Sequence, residues 1–161
     1  MKKAILPLLL FISFFAKAQN TSQSYIDKYK DAAISIMHDY GIPASVTLAI
    51  AMHESASGNS RVARQSNNQF GMKGHNSKTH SSYKSYDSVL ESFEDFARMM
   101  TQRKQFSRLA DKFDSFDYKN WAKGIQRGGY ASSRKWSSQV LLLIKKFRLN
   151  SFDESPELAE Q

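Results

Sequence analysis

Residues 40–55 read Tyr40-Gly41-Ile42-Pro43-Ala44-Ser45-Val46-Thr47-Leu48-Ala49-Ile50-Ala51-Met52-His53-Glu54-Ser55. Gly41 is a stop for whatever helix precedes it, and Pro43 suits the first residue of a new one, where a missing N–H is harmless. From Ala44 to His53 the segment is apolar on almost every side, through Val46, Leu48, Ala49, Ile50 and Met52. A helix without a polar face belongs in the middle of a domain. It ends on a carboxylate, Glu54, and a polar stretch begins at once. This fixes a central helix with an acid at its mouth.

Helical spacing extends outward from it on both sides. Ile26, Tyr29, Ala33, Ile36, Met37 and Tyr40 recur at three and four, the mark of an amphipathic helix. Downstream, Ser88 and Glu91 form a capping box. Val89, Leu90, Phe93, Phe96, Ala97 and Met100 then share one face. Shorter helical pieces around Leu109 and from Trp121 to Ile125 end at Gly128-Gly129. A last helix carries Trp136, Val140, Leu143, Ile144 and Phe147. Between Ser55 and Ser85 the pattern breaks into Ser, Asn, Gly, Lys and His, with isolated Phe70, Met72 and Tyr83. The break is long enough to be functional, with room for a short β-hairpin but no strong strand signal. There is no internal repeat and no interior linker. The expectation is one mostly α domain over residues 19–150, with a polar loop or hairpin beside a cleft.

The two ends read differently from the body. Lys2 and Lys3, the apolar run Ala4–Ala16 and the small-x-small pattern Ala16-Lys17-Ala18 describe a signal peptide over residues 1–18. The run is short of the ~20 apolar residues needed to span a bilayer, so stable membrane insertion is not expected. Export to the periplasm or the exterior is. The 161 residues contain no cysteine, which excludes a lipidated N-terminus and leaves stability to helix packing. The formal charge is +8, and removal of residues 1–18 with their three lysines leaves +5. Residues 151–161 hold Asp153, Glu154, Glu157 and Glu160 and no base, so they read as an acidic, disordered end and residues 19–150 stand at +9. A basic exported body points to an anionic polymer, although a generally soluble basic surface accounts for the charge equally well.

Glu54 is the residue with chemistry to offer. At the border of core and cleft, partial desolvation favours the neutral acid, the form that protonates a leaving oxygen. A Glu that simply ends a helix in water is the alternative. His53-Glu54 starts like the zinc motif H-E-x-x-H, but Ser57 stands where the second histidine must be. His38, His75 and His80 share no ligand spacing, so neither metal nor cofactor is expected.

The same residues, taken with three further stretches, resemble glycoside hydrolase family 73, the bacterial glucosaminidases. Residues 40–55 look like the catalytic helix of that family, and Asn67-Asn68-Gln69-Phe70-Gly71-Met72-Lys73-Gly74 is similar to its N-N-x-F-G-x-K-G loop. Tyr83-Lys84-Ser85-Tyr86-Asp87-Ser88 matches the F-R-x-Y-x-S element, and Trp121–Ile125 with Gly129-Tyr130-Ala131 resembles the closing pattern. Together they cover about residues 25–149 in the family's order. The resemblance implies a lysozyme-like fold and cleavage after N-acetylglucosamine in peptidoglycan glycan strands, by a monomer. It places the catalytic residues on Glu54, the general acid, and on Tyr130, the site tyrosine. It also places substrate contacts on Asn67, Asn68, Phe70, Lys73 and Tyr86.

One departure matters. Many members carry a second acid in a hairpin before the F-R-x-Y element, whereas residues 75–82 here contain no Asp or Glu. Asp87 is next in sequence, but its place beside a helix start suits capping better. The substrate's acetamido group, a held water, or a binding role without cleavage would each account for the gap. A lytic transglycosylase or muramidase using the same Glu, or an inactive wall-binding module, are the rival readings. No nucleic-acid recognition motif is present. Trp121 and Trp136 lie on helical stripes and read as core. Asn67 and Asn68 can equally make a turn. Lys73, Arg127, Arg134 and Lys135 can meet stem-peptide carboxylates or form a solvated basic rim.

Overall fold

The structure, a computed structural model, describes residues 5–76 and 81–153, with side chains for 21–75 and 81–153. Seven α-helices and one hairpin follow in chain order: α1 (Ile5–Tyr40), α2 (Ala44–Ser55), α3 (Arg61–Ser66), β1 (Lys73–Asn76), β2 (Ser81–Tyr83), α4 (Val89–Gln102), α5 (Leu109–Lys112), α6 (Tyr118–Arg127) and α7 (Trp136–Phe147). A 3-10 turn, Leu149–Phe152, closes the described chain. The Ala16-Lys17-Ala18 site lies in the part of α1 where only backbone is described. No helix among the described residues is long and apolar enough to cross a membrane.

α2 is the axis of the domain, as its all-round apolar surface requires. Ala44, Val46, Leu48, Ala49, Ile50 and Ala51 are completely buried. They pack against α1, α6, α7 and the 3-10 turn. α1 contributes the predicted stripe, with Tyr25, Ile26, Ala33, Ile36 and Met37 all buried. α4 adds Phe93, Phe96, Ala97 and Met100, starting from Ser88, whose Oγ accepts the Glu91 N–H at 3.2 Å. Glu91 completes the cap one residue earlier than the simplest capping box, accepting the Asp87 N–H.

Pro43 sits just outside α2, at the N-cap, where it offers no side-chain hydrogen bond. The missing cap comes from the far end of the chain. The Asp153 carboxylate accepts the Ser45 N–H at 2.8 Å and the Ser45 hydroxyl at 2.6 Å, and Asp153 is 2% exposed. This corrects the boundary at residue 150. Residues 151–153 belong to the folded body, because an anionic carboxylate is stabilised at the positive end of a helix. Residues 154–161 lie outside the described residues.

The polar excursion folds into α3 and a two-stranded antiparallel hairpin, with Lys73 opposite Tyr83 and Asn76 opposite Ser81. Four clips anchor it. Lys84 N–H donates to the Met72 carbonyl, Tyr86 N–H donates to the Ser66 carbonyl, and Lys84 Nζ and the Tyr86 hydroxyl both meet Asp95 on α4 at 2.8 and 2.6 Å. Burial acts to raise the Asp95 pKa, but hydrogen bonds from Lys84 and Tyr86, with the charges of Lys84 and Arg98, outweigh it and hold it below its ordinary 3.8. A carboxyl lowered on folding adds stability above its unfolded value and loses it progressively from about pH 5 downward, fully only below the folded value. The melting temperature of the wild type should therefore fall more steeply through this acid range than that of Asp95→Asn. Parallel melting curves would refute this.

A candidate active site at the mouth of the central helix

Glu54 occupies the last turn of α2, half-buried, where the apolar helix meets an open cleft of about 580 Å³. The chain must leave α2 sharply to keep that mouth open. Ala56, Ser57 and Gly58 all have positive φ, near +52, +52 and +80°. Two successive non-glycine residues in the left-handed region carry strain, of the kind that gathers at working sites. Ser55 holds the turn. Its hydroxyl donates to the Ala51 carbonyl at 2.6 Å and accepts the Gly58 N–H at 2.8 Å.

The cleft floor is the loop from Asn67 to Lys73. Asn68 is 1% exposed and ties the loop to itself. Its Oδ1 accepts the Met72 N–H at 2.9 Å, and its Nδ2 donates to the carbonyls of Met72 and Lys84 at 3.0 and 2.9 Å. Gly71 follows at φ +63°, and a methyl there would lie 3.9 Å from Glu54 Oε2 and 4.0 Å from the Tyr83 ring. The positive φ is what favours glycine at this point, beside the acid. Replacing Asn68 by Ala strands buried backbone groups, which cost about 1–3 kcal/mol each when unpaired. Asn68→Ala should consequently lower the melting temperature by about 5–10 °C and lower activity with it. Thermal unfolding without change would count against the fastening role.

Tyr130, after Gly129, stands across from this loop. Its hydroxyl donates to the Phe70 carbonyl at 3.0 Å, and its ring lies 5.1 Å from that of Trp136. Burial, followed by the nearby Glu54 charge, pushes the Tyr130 phenol well above its ordinary pKa, so it remains a hydrogen-bond donor. Trp136, 2% exposed at the first turn of α7, donates its indole N–H to Glu54 Oε1 at 2.8 Å. Gln126 sets the start of α7 by donating to the Arg134 carbonyl and accepting the Ser137 N–H.

The structure brings Glu54, Asn68, Lys73 and Tyr130 to one cleft, together with the Phe70 backbone. Some expected contacts change character. The Phe70 ring is 2% exposed, stacked on Phe96 at 4.3 Å and edge-on to Phe93 at 4.9 Å, so it is core and only its carbonyl serves the site. Asn67, left-handed at the end of α3, donates to the carbonyls of Tyr86 and Asp87, while Tyr86 donates to Asp95. Neither lines the cleft; both fasten the loop and hairpin behind it. Trp121 and Trp136 are buried as expected, but Trp136 also reaches the acid, which its place on a helical stripe did not reveal. Tyr83, Arg103 and Ser132 join the lining unannounced. Lys73 Nζ lies 3.5 Å from the centre of the Tyr83 ring, a cation–π contact that fixes both.

Among the residues lining the cleft Glu54 is the one acid. A lone carboxyl with one oxygen held by an indole N–H and the other beside the cleft floor at Gly71 is equipped to give and take a single proton.

Comparison with known proteins bears on the family and the fold. A family model described as "Glucosaminidase: Mannosyl-glycoprotein endo-beta-N-acetylglucosaminidase" matches residues 30–149. The exo-glucosaminidase LytG of Bacillus subtilis (strain 168) is 26% identical over 151 residues, 82% of this chain and 54% of that protein. The chain thus spans about half the length of that relative. The catalytic domain of the autolysin Auto from Listeria monocytogenes superposes with a TM-score of 0.67 at 24% identity, covering 82% of this chain and 87% of that one. A peptidoglycan hydrolase from Sphingomonas sp. A1 gives 0.66 at 23% identity, covering 81% and 92%. At such identities the structural neighbours speak for the fold, and it is the expected mostly helical, lysozyme-like one.

Proposed function

The chain belongs to the glucosaminidase family, glycoside hydrolase family 73, and on that premise we propose that it is a peptidoglycan hydrolase cleaving the β-1,4 bond after N-acetylglucosamine, with Glu54 as general acid. The observation that carries the reading is the single acid of the cleft, held at the end of a buried helix by an indole N–H. The reaction needs a route with one carboxylate. Glu54 gives its proton to the glycosidic oxygen, and the C1–O bond breaks with its electron pair leaving on that oxygen. The carbonyl oxygen of the substrate's own 2-acetamido group bonds to C1, a substrate-assisted path that needs no second protein carboxylate as nucleophile. Water then attacks C1, the acetamido oxygen departs, and Glu54 recovers its proton from that water. Tyr130 keeps the wall of the cleft in place through Phe70.

Peptidoglycan fits this cleft because its strands carry peptide carboxylates. Lys73 and Arg103, both exposed and both in the lining, are cations placed to meet them. The basic body and the signal-like start agree with work outside the cytoplasm. The test is a mass-spectrometric digest of purified peptidoglycan. Reducing ends on N-acetylglucosamine are expected. Reducing N-acetylmuramic acid would instead mean a muramidase, and 1,6-anhydro ends a transglycosylase. Folded protein that pellets with the wall and releases nothing would leave only a binding module. Export is tested by the N-terminus of the secreted protein, expected at Gln19.

A further inference from the structure

The two oxygens of Glu54 have different surroundings. Oε1 accepts the Trp136 indole N–H at 2.8 Å. Oε2 faces the floor at Gly71, 3.9 Å from where a side chain there would begin. An indole N–H can only donate. The carbonyl-type oxygen of a neutral carboxyl is a far better acceptor than its hydroxyl oxygen, so the Trp136 bond to Oε1 favours the proton on Oε2.

We infer that Trp136 is a positioning residue: by holding Oε1 it assigns the reactive proton of Glu54 to Oε2, on the Gly71 side of the cleft. The inference rests on Glu54 being the general acid. In the cleavage step the Oε2–H bond breaks and the proton joins the glycosidic oxygen; in the second half the attacking water returns a proton to the same Oε2. The Trp136 bond to Oε1 persists through both halves, so the carboxyl does not rotate between them. Trp136 is itself immobilised. Tyr130 packs on it at 5.1 Å, and Gln126 fixes the turn from which it projects. With one carboxyl serving both halves, misdirecting its proton cannot be made good by a neighbour in the lining.

The decisive experiment compares Trp136→Phe and Glu54→Gln with the wild type on peptidoglycan and on aryl glycosides of the N-acetylmuramyl-N-acetylglucosamine disaccharide. The aryl series runs to 2,4-dinitrophenol, a leaving group that departs without protonation. For Trp136→Phe, kcat on peptidoglycan should fall about 10- to 100-fold with KM within about twofold, while the dinitrophenyl glycoside loses less than about threefold. Glu54→Gln should show the same selectivity more strongly. An equal loss on every substrate, or none, would overturn the role of Trp136. A Glu54→Gln enzyme as active as the wild type would overturn the acid assignment as well. Selective loss in Glu54→Gln but not in Trp136→Phe would remove this inference alone.

A measurement on the intact indole guards against misfolding of the Phe variant. With 15N-labelled tryptophan, Glu54→Ala should move the Trp136 indole resonance and leave that of Trp121, which donates to the Asp114 carbonyl, in place. A stationary Trp136 signal would refute the contact on which the inference depends.

Discussion

Glu54→Gln is expected to reduce peptidoglycan cleavage by about 10²- to 10⁴-fold, the usual contribution of a positioned general acid. The melting temperature should move by no more than about 2–3 °C. The two halves of that expectation have separate causes. Gln retains an amide oxygen in the place of Oε1, so the Trp136 N–H keeps its acceptor. What disappears is the transferable proton. Glu54→Ala makes the contrast, because it strands a buried indole N–H, a loss of about 1–3 kcal/mol. Gln should thus be inactive and stable, and Ala inactive and less stable. Activity of Glu54→Gln within tenfold of the wild type would end the case for this residue.

The second large effect is expected far from the cleft. Asp153→Ala should cost about 2–4 kcal/mol, since it removes a buried carboxylate acceptor from two hydrogen bonds at the start of α2, whose N-cap Pro43 offers no side-chain cap. For a domain of this size that is a drop of about 10 °C in melting temperature. Truncation after Asn150 should do the same or worse, because it also removes part of the 3-10 turn packed on α2. Ser45→Ala, which loses one of the two bonds, should fall between. Activity should decline alongside stability, as Glu54 rides on the other end of the same helix. A truncated protein melting with the wild type would show that the buried carboxylate contributes nothing.

All the helices but α3 were legible because each depends on a local pattern: apolar residues at three and four, Ser88 with Glu91, Gly41 after Tyr40; α3, Arg61–Ser66, is one short turn capped by Ser60 inside a polar stretch and leaves no such pattern. Glu54 was legible for a related reason, the abrupt junction between an apolar run and a polar one. The hairpin was legible only as an option, a loop or a hairpin in the polar stretch. Its strands consist of Lys, Gly, His, Asn, Ser and Tyr without β-branched alternation, and it is held by Asn68, Asp95 and backbone contacts drawn from elsewhere. Motif resemblance located Asn67, Asn68, Phe70 and Tyr86 without saying which atoms they serve. A fastener of backbone and a ligand for sugar look alike in a string of letters. Trp136 read as core, and it is core, but no periodicity records that one edge of a buried indole ends on a carboxylate. Asp153 was hidden by its company. Among four acids in eleven residues, nothing local marks the one whose partner is 108 positions away.

That separation also sets an order of events in time. A chain synthesised from its N-terminal side presents α2, the loop and the hairpin before residue 153 arrives. Until then the central helix has no side-chain cap, and closing so long a loop carries a large entropic cost. Contacts of this range form late and slowly. The cap on the far end of the central helix is therefore among the last contacts of the fold to form, set by a residue distant in sequence from the helix it holds.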